Sequence, residues 1–128
     1  MTIISQTLDA FDDIFPTDMA PRLFQAPGRV NLIGEHTDYN AGYVLPAAID
    51  RQIFVAATAR KDSRINIYAH NFNQWDRFGI QNDLAKLSGN ACGNYFRGIV
   101  WSLLQQGREL CGMDAVVSGN IPIGAGLS

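Results

Sequence analysis

The chain has 128 residues, 47% of them hydrophobic, with 10 basic and 12 acidic side chains for a formal net charge of −2. That is enough apolar material for the core of one globular domain or part of one. Charges scattered without runs leave no footprint for nucleic acid or an anionic membrane, so a small or neutral partner is expected.

In chain order, apolar Ile4, Leu8, Phe11, Ile14 and Phe15 recur at helical spacing. They predict an amphipathic helix over Ile4 to Phe15, with Ser5 and Thr7 as candidate caps and Pro16 as a stop. Asp9, Asp12 and Asp13 stand where a secretory signal needs a basic start and an apolar centre. Arg22 to Gln25 and Val30 to Ile33 read as strands on either side of an Ala26-Pro27-Gly28 break. Val44 to Ile49, Ile53 to Ala59, Arg64 to His70 and Trp75 to Ile80 are β-prone runs of strand length, the Ile65, Ile67, Ala69 alternation being the clearest. Helical period returns over Tyr95 to Gln106 through Phe96, Ile99, Val100, Leu103 and Leu104, and stops at Gly107. Met113 to Gly119 reads as a final strand. Strands, a helix, then a strand feeding a glycine-rich turn predict an α+β layer with a helix packed on one sheet face.

There is no internal repeat, low-complexity segment or linker, and no apolar run nears the roughly 20 residues of a membrane span. The two cysteines, Cys92 and Cys111, fit neither a CxxC nor a zinc-ligand spacing. They read as buried or half-buried free thiols in a reducing cytoplasm, and the chain as neither exported nor anchored.

Two stretches carry chemistry. In the first, over residues 26–46, Arg29, Glu35, His36, Thr37 and Asp38 lie within ten positions, interleaved with Gly28, Gly34 and Gly42. Glu35, His36 and Asp38 are side-chain types that bind transition metals. Their spacing, however, lacks the paired histidines of a helix-borne HExxH, and the surroundings read as strand and loop. The second, SGNIPIGAGLS, follows a strand. Glycines at alternate positions let successive backbone N–H groups turn inward as an anion nest, and a helix starting at Ser128 would add its positive end. It is not a Walker A loop, since no Gly-Lys-Ser/Thr follows, and an ordinary tight turn has the same spacing.

Pro27-Gly28-Arg29-Val30-Asn31-Leu32-Ile33-Gly34-Glu35-His36-Thr37-Asp38-Tyr39-Asn40, followed by Gly42 and Val44-Leu45-Pro46, closely resembles the galactokinase signature. Pro122 to Ser128 resembles the opening of the phosphate-binding loop of the wider GHMP kinase family, PxGxGLSSS. Asn94-Tyr95 and Arg97-Gly98 resemble the galactokinase segment that opens a central helix, with Cys92 where bacterial relatives commonly carry tryptophan. The resemblance runs from Leu23 to Ser128, and it breaks off after the loop's first serine.

The resemblance implies a ribosomal-protein-S5-like α+β N-terminal lobe, of which residues 1–128 would be an incomplete part. The implied reaction is ATP-dependent phosphorylation of α-D-galactose at its C1 hydroxyl. Glu35, His36, Thr37 and Asp38 would grip sugar hydroxyls, since carboxylates accept charge-assisted hydrogen bonds and imidazole can donate or accept. Such a set reads hydroxyl stereochemistry, the axial O4 of galactose above all. Arg29 would stabilise charge on the transferred phosphoryl group. Gly124, Ala125, Gly126, Leu127 and Ser128 would cradle the ATP phosphates. The family's general-base aspartate and Mg2+ ligands would lie beyond residue 128, so these residues alone are expected to be inactive and poorly folded. A non-catalytic galactokinase-like sensor of sugar and ATP, reporting to a regulatory partner, is the alternative. The sequence does not indicate an oligomeric state.

Overall fold

The structure, a computed structural model, describes residues 1–34, 38–81, 84–85, 89 and 91–124; the side chains of Asp38 and Ala91 also lie outside the described set. Helix α1 spans Ile3–Ile14. Its cap is Thr2, one turn earlier than the sequence suggested. The Ser5 N–H donates to Thr2 Oγ1 and the Thr2 N–H to Ser5 Oγ, both at 3.1 Å, which satisfies two orphan donors reciprocally. Ser5 is therefore the third helical residue of a capping box. Thr7 is fully buried, and its hydroxyl bonds Ile3 O at 2.7 Å and the Ser118 hydroxyl. It ties the helix to the sheet and caps nothing.

Strand β1 (Arg22–Ile33) runs unbroken through the expected Ala26-Pro27-Gly28 interruption, with register irregularities between Pro27 and Arg29 and between Asn31 and Ile33. The reason is position. β1 lies at the sheet edge, where a proline without an N–H is tolerated and where bulges gather. Its partner β2 (Leu45–Arg60) is likewise one strand where two were expected. The polar Asp50-Arg51 step reads as a gap because both side chains face solvent, 95% and 53% exposed, while the backbone stays extended. Strands β3 (Arg64–Ala69) and β4 (Gln74–Gly79), helix α2 (Ala91–Gln105) and strand β5 (Gly112–Gly119) follow. These match the expected elements to within a few residues.

The sheet order is β1-β2-β5-β3-β4, with β3 and β5 parallel and the other neighbours antiparallel. The last strand in sequence is thus the central one. Because successive residues of a strand point to opposite faces, β2 and β5 sort their side chains between two cores. Ala56 and Val116 pack with Phe11 of α1. Ala57 and Ala115 pack with Ile65, Ile67 and Phe78 beneath Val100 of α2. The helices therefore cover both faces: the expected α+β layer with a helix packed on the sheet is present, and α1 adds a second helix on the other face. α1 had been read as amphipathic, but its spacing could not say which surface it meets.

No helix among the described residues is long and apolar enough to cross a membrane.

Candidate functional site

The two motif stretches start far apart in sequence and meet at one end of the sheet. Pro27 of β1 pairs with Gln52 of β2. On its other side the Gln52 backbone binds Asn120: its N–H donates to Asn120 Oδ1 at 2.8 Å, and its carbonyl accepts the Asn120 N–H at 3.1 Å. Pro27, Gln52 and Asn120 thus form one row across three neighbouring segments. β5 pairs with β2 only from Ile53 onward, whereas the β1–β2 pair continues past that row to Ile33 and Leu45. The first motif therefore rides a two-stranded arm that extends beyond the end of β5, and the second leaves the sheet at the foot of that arm.

Arg29 sits on the arm, paired with Ala48 just after the first register irregularity. Its neighbour Gly28 is buried, while Arg29 itself is exposed. No ion pair or side-chain hydrogen bond to another described residue restrains its guanidinium. Gly34, at φ 99°, turns the chain out of β1 in a conformation that favours glycine. A short 3-10 turn, Asp38–Asn40, and Ala41 at φ 56° follow before β2 begins. Glu35, His36, Thr37 and the Asp38 side chain lie outside the described residues, as do Ala125, Gly126, Leu127 and Ser128. Of the phosphate-loop residues, Gly124 is described, exposed and at φ 71°. The structure brings together Arg29's strand and the approach to Gly124.

A second polar constellation supports α2, and the sequence reading did not pair its members. Arg97 and Asp76 are 6% and 5% exposed and joined by two bonds: Arg97 Nε to Asp76 Oδ2 at 2.8 Å and Nη2 to Oδ1 at 2.7 Å. The guanidinium also lies 4.6 Å from the Phe78 ring centroid and donates to the Ala85 carbonyl at 3.3 Å. A bidentate pair of this kind fixes one helix orientation on the sheet. The available signal was parity: Asp76 alternates with Phe78 on the buried side of β4, and a carboxylate there needs a cation. Half-buried Cys92 lies nearby, its thiol pKa pushed up by burial and then by the Asp76 charge, so it is a poor nucleophile.

At the opposite end of the sheet, Arg60 joins Asp62 at 2.6 Å and Asp114 at 3.0 Å, and Asn66 donates to Asp114 at 2.7 Å. The hydrogen bond from Arg60, then one from the Arg64 N–H, pull the Asp62 carboxyl from 3.8 down to about 2. In turn the hydrogen bond to Asp62, followed by Asp114, raises the Arg60 pKa against the opposing effect of burial. The cluster clamps the β2–β3 connection.

Residues 9–59 match the family model described as the galactokinase galactose-binding signature. The fold matches the crystal structure of Lactococcus lactis galactokinase complexed with galactose at 35% identity and a TM-score of 0.88, over 99% of this chain and 33% of that one. The Methanococcus jannaschii mevalonate kinase shares the fold at 21% identity and a TM-score of 0.60, over 87% of this chain and 36% of that one. The chain thus spans about a third of the length of each of these kinases. With the galactose-binding signature on the β1–β2 arm and the same α+β sheet beneath it, the chain is similar to galactokinase over about a third of that enzyme's length and shares its fold with the mevalonate kinase.

Proposed function

We propose that this chain is the N-terminal, sugar-reading part of a kinase that transfers the γ-phosphoryl group of ATP to the C1 hydroxyl of α-D-galactose. The observation that carries the reading is the row Pro27–Gln52–Asn120, which sets the signature arm beside the approach to the glycine loop. A phosphoryl transfer needs a hydroxyl acceptor and a phosphate donor held in one place, and positioning of this kind accounts for much of the rate. In the proposal, Glu35, His36, Thr37 and Asp38 hold the sugar hydroxyls. Gly124, Ala125, Gly126, Leu127 and Ser128 receive the phosphates on backbone N–H groups. Arg29, exposed on the arm, reaches the charge that develops between them.

In GHMP kinases of this kind Mg2+ offsets the charge of the nucleotide phosphates. Among the described residues no group of three or more His, Cys, Asp or Glu side chains gathers to hold a metal ion. No step here runs through the ion. The ion's ligands and the base that takes the C1 hydroxyl proton are assigned to the part of the longer kinase outside this chain.

The test is ATP-dependent formation of galactose 1-phosphate by the full-length kinase carrying this chain. Asp38→Ala should lower kcat/KM for galactose about 10- to 150-fold, the equivalent of about 1.5 to 3 kcal/mol for a lost hydrogen bond to a charged group. Unchanged kcat/KM would remove Asp38 from the sugar site. Binding of both galactose and ATP without turnover would replace the kinase by the sensor.

A further inference from the structure

We infer that Asn71 and Asn120 are positioning residues for the phosphate loop, fixing where it leaves the sheet. The inference rests on the kinase reading above. The parallel ladder between β3 and β5 stops at the Ala69–Val117 pair. Two residues further along both segments, the Asn71 side chain takes over the role of a strand backbone. Its Nδ2 donates to the Gly119 carbonyl at 3.1 Å, and its Oδ1 accepts the Gly119 N–H at 2.8 Å. Asn71 itself is presented by the short turn His70–Phe72 that closes β3. On the opposite side Asn120 exchanges two hydrogen bonds with the Gln52 backbone. The Gly119-Asn120 step is therefore gripped from both neighbouring strands, directly before Ile121 to Gly124.

Close packing tightens the grip. A Cβ on Gly119 would stand 2.9 Å from the Gln52 carbonyl and 3.1 Å from Ile53 Cγ1, so β5 ends flush against β2. Asn71 is solvent-exposed, and hydrogen bonds made in water add little net stability to a sheet already paired on both sides. What they do set is direction. A cradle built from backbone N–H groups has no side-chain rotamers with which to correct an error. Its donors are placed only as accurately as the segment that launches it, and errors near 1 Å at a reacting centre can cost about 100-fold in rate.

The experiment is steady-state kinetics of the full-length kinase with Asn71→Ala and, separately, Asn120→Ala, varying MgATP at saturating galactose and the reverse, alongside thermal midpoints. Each variant should raise the ATP KM about 3- to 10-fold and lower kcat, with the galactose KM within about twofold of wild type and the midpoint shifted by only a few degrees. An unchanged ATP KM would overturn the inference, as would parallel losses for both substrates in step with a large drop in midpoint. A wild-type kinase without galactose-dependent ATP turnover would instead remove the kinase reading, and the inference with it.

Discussion

The Arg97–Asp76 pair is the most consequential buried interaction among the described residues, and its removal should be costly in a characteristic way. Asp76→Ala would delete both charge-assisted bonds, at 2.7 and 2.8 Å, and leave a guanidinium that is 6% exposed without its counter-charge. Its bond to the Ala85 carbonyl, at 3.3 Å, offers a dipole and no counter-charge. Breaking one side of a buried pair costs about 3 to 5 kcal/mol, because the surviving charge is stranded in a low-dielectric interior. In the full-length kinase, at about 2 to 4 °C per kcal/mol for a domain of about 150 to 250 residues, the thermal midpoint should fall by about 6 to 20 °C. The double variant Asp76→Leu with Arg97→Met removes both charges and retains apolar volume beside Phe78, so it should recover most of that loss. Circular dichroism melts and urea titrations of the single and double variants make the comparison. If Asp76→Ala shifts the midpoint by less than about 3 °C, or if the double variant is worse than the single, the desolvation reasoning is wrong.

Arg29→Ala in the full-length kinase should lower kcat far more than it raises the galactose KM, because an interaction made mainly in the transition state has that signature; a change in KM alone would make Arg29 a binding residue. Gly112→Ala should destabilise by about 1 to 3 kcal/mol, since its Cβ would stand 2.6 Å from the Arg64 carbonyl and closer still to that of Asp62, neither of which can swing aside. An unchanged urea midpoint would contradict that geometry. Asp62 has a folded pKa of about 2 against 3.8, so the stability it contributes is fully present above pH 4 and is lost as pH falls towards 2. Asp62→Asn should therefore flatten the acid limb of a stability profile between pH 4 and pH 2, and an identical limb in the variant would refute the linkage.

Much was legible in the sequence because the signals are local. The 3.6-residue period that marks α1 and α2, and the alternation of Ile65, Ile67 and Ala69, act over a few neighbouring residues and survive any tertiary arrangement. The signature from Pro27 to Asn40 is likewise a contiguous run, so its resemblance to galactokinases was visible before any fold was known. Only the tertiary structure decided the rest. Pro27 and the Asp50-Arg51 step look like breaks, yet β1 and β2 pass through them because an edge position and solvent-facing side chains accommodate both. Ser5 and Thr7 each resemble a cap, yet Ser5 completes the box of Thr2 and Thr7 docks on Ser118, more than a hundred residues away. Asn71 and Gly112 carry no mark in a one-dimensional reading, and Asp76 carries only its parity with Phe78. Strand register places Gly119 beside Asn71 and the Asp62 and Arg64 carbonyls against Gly112, and the docking of α2 on the sheet brings Arg97 to Asp76. Side-chain pattern sets what each segment can be, whereas register is a single global choice made when all five strands pair at once, and it determines which distant residues meet across the sheet.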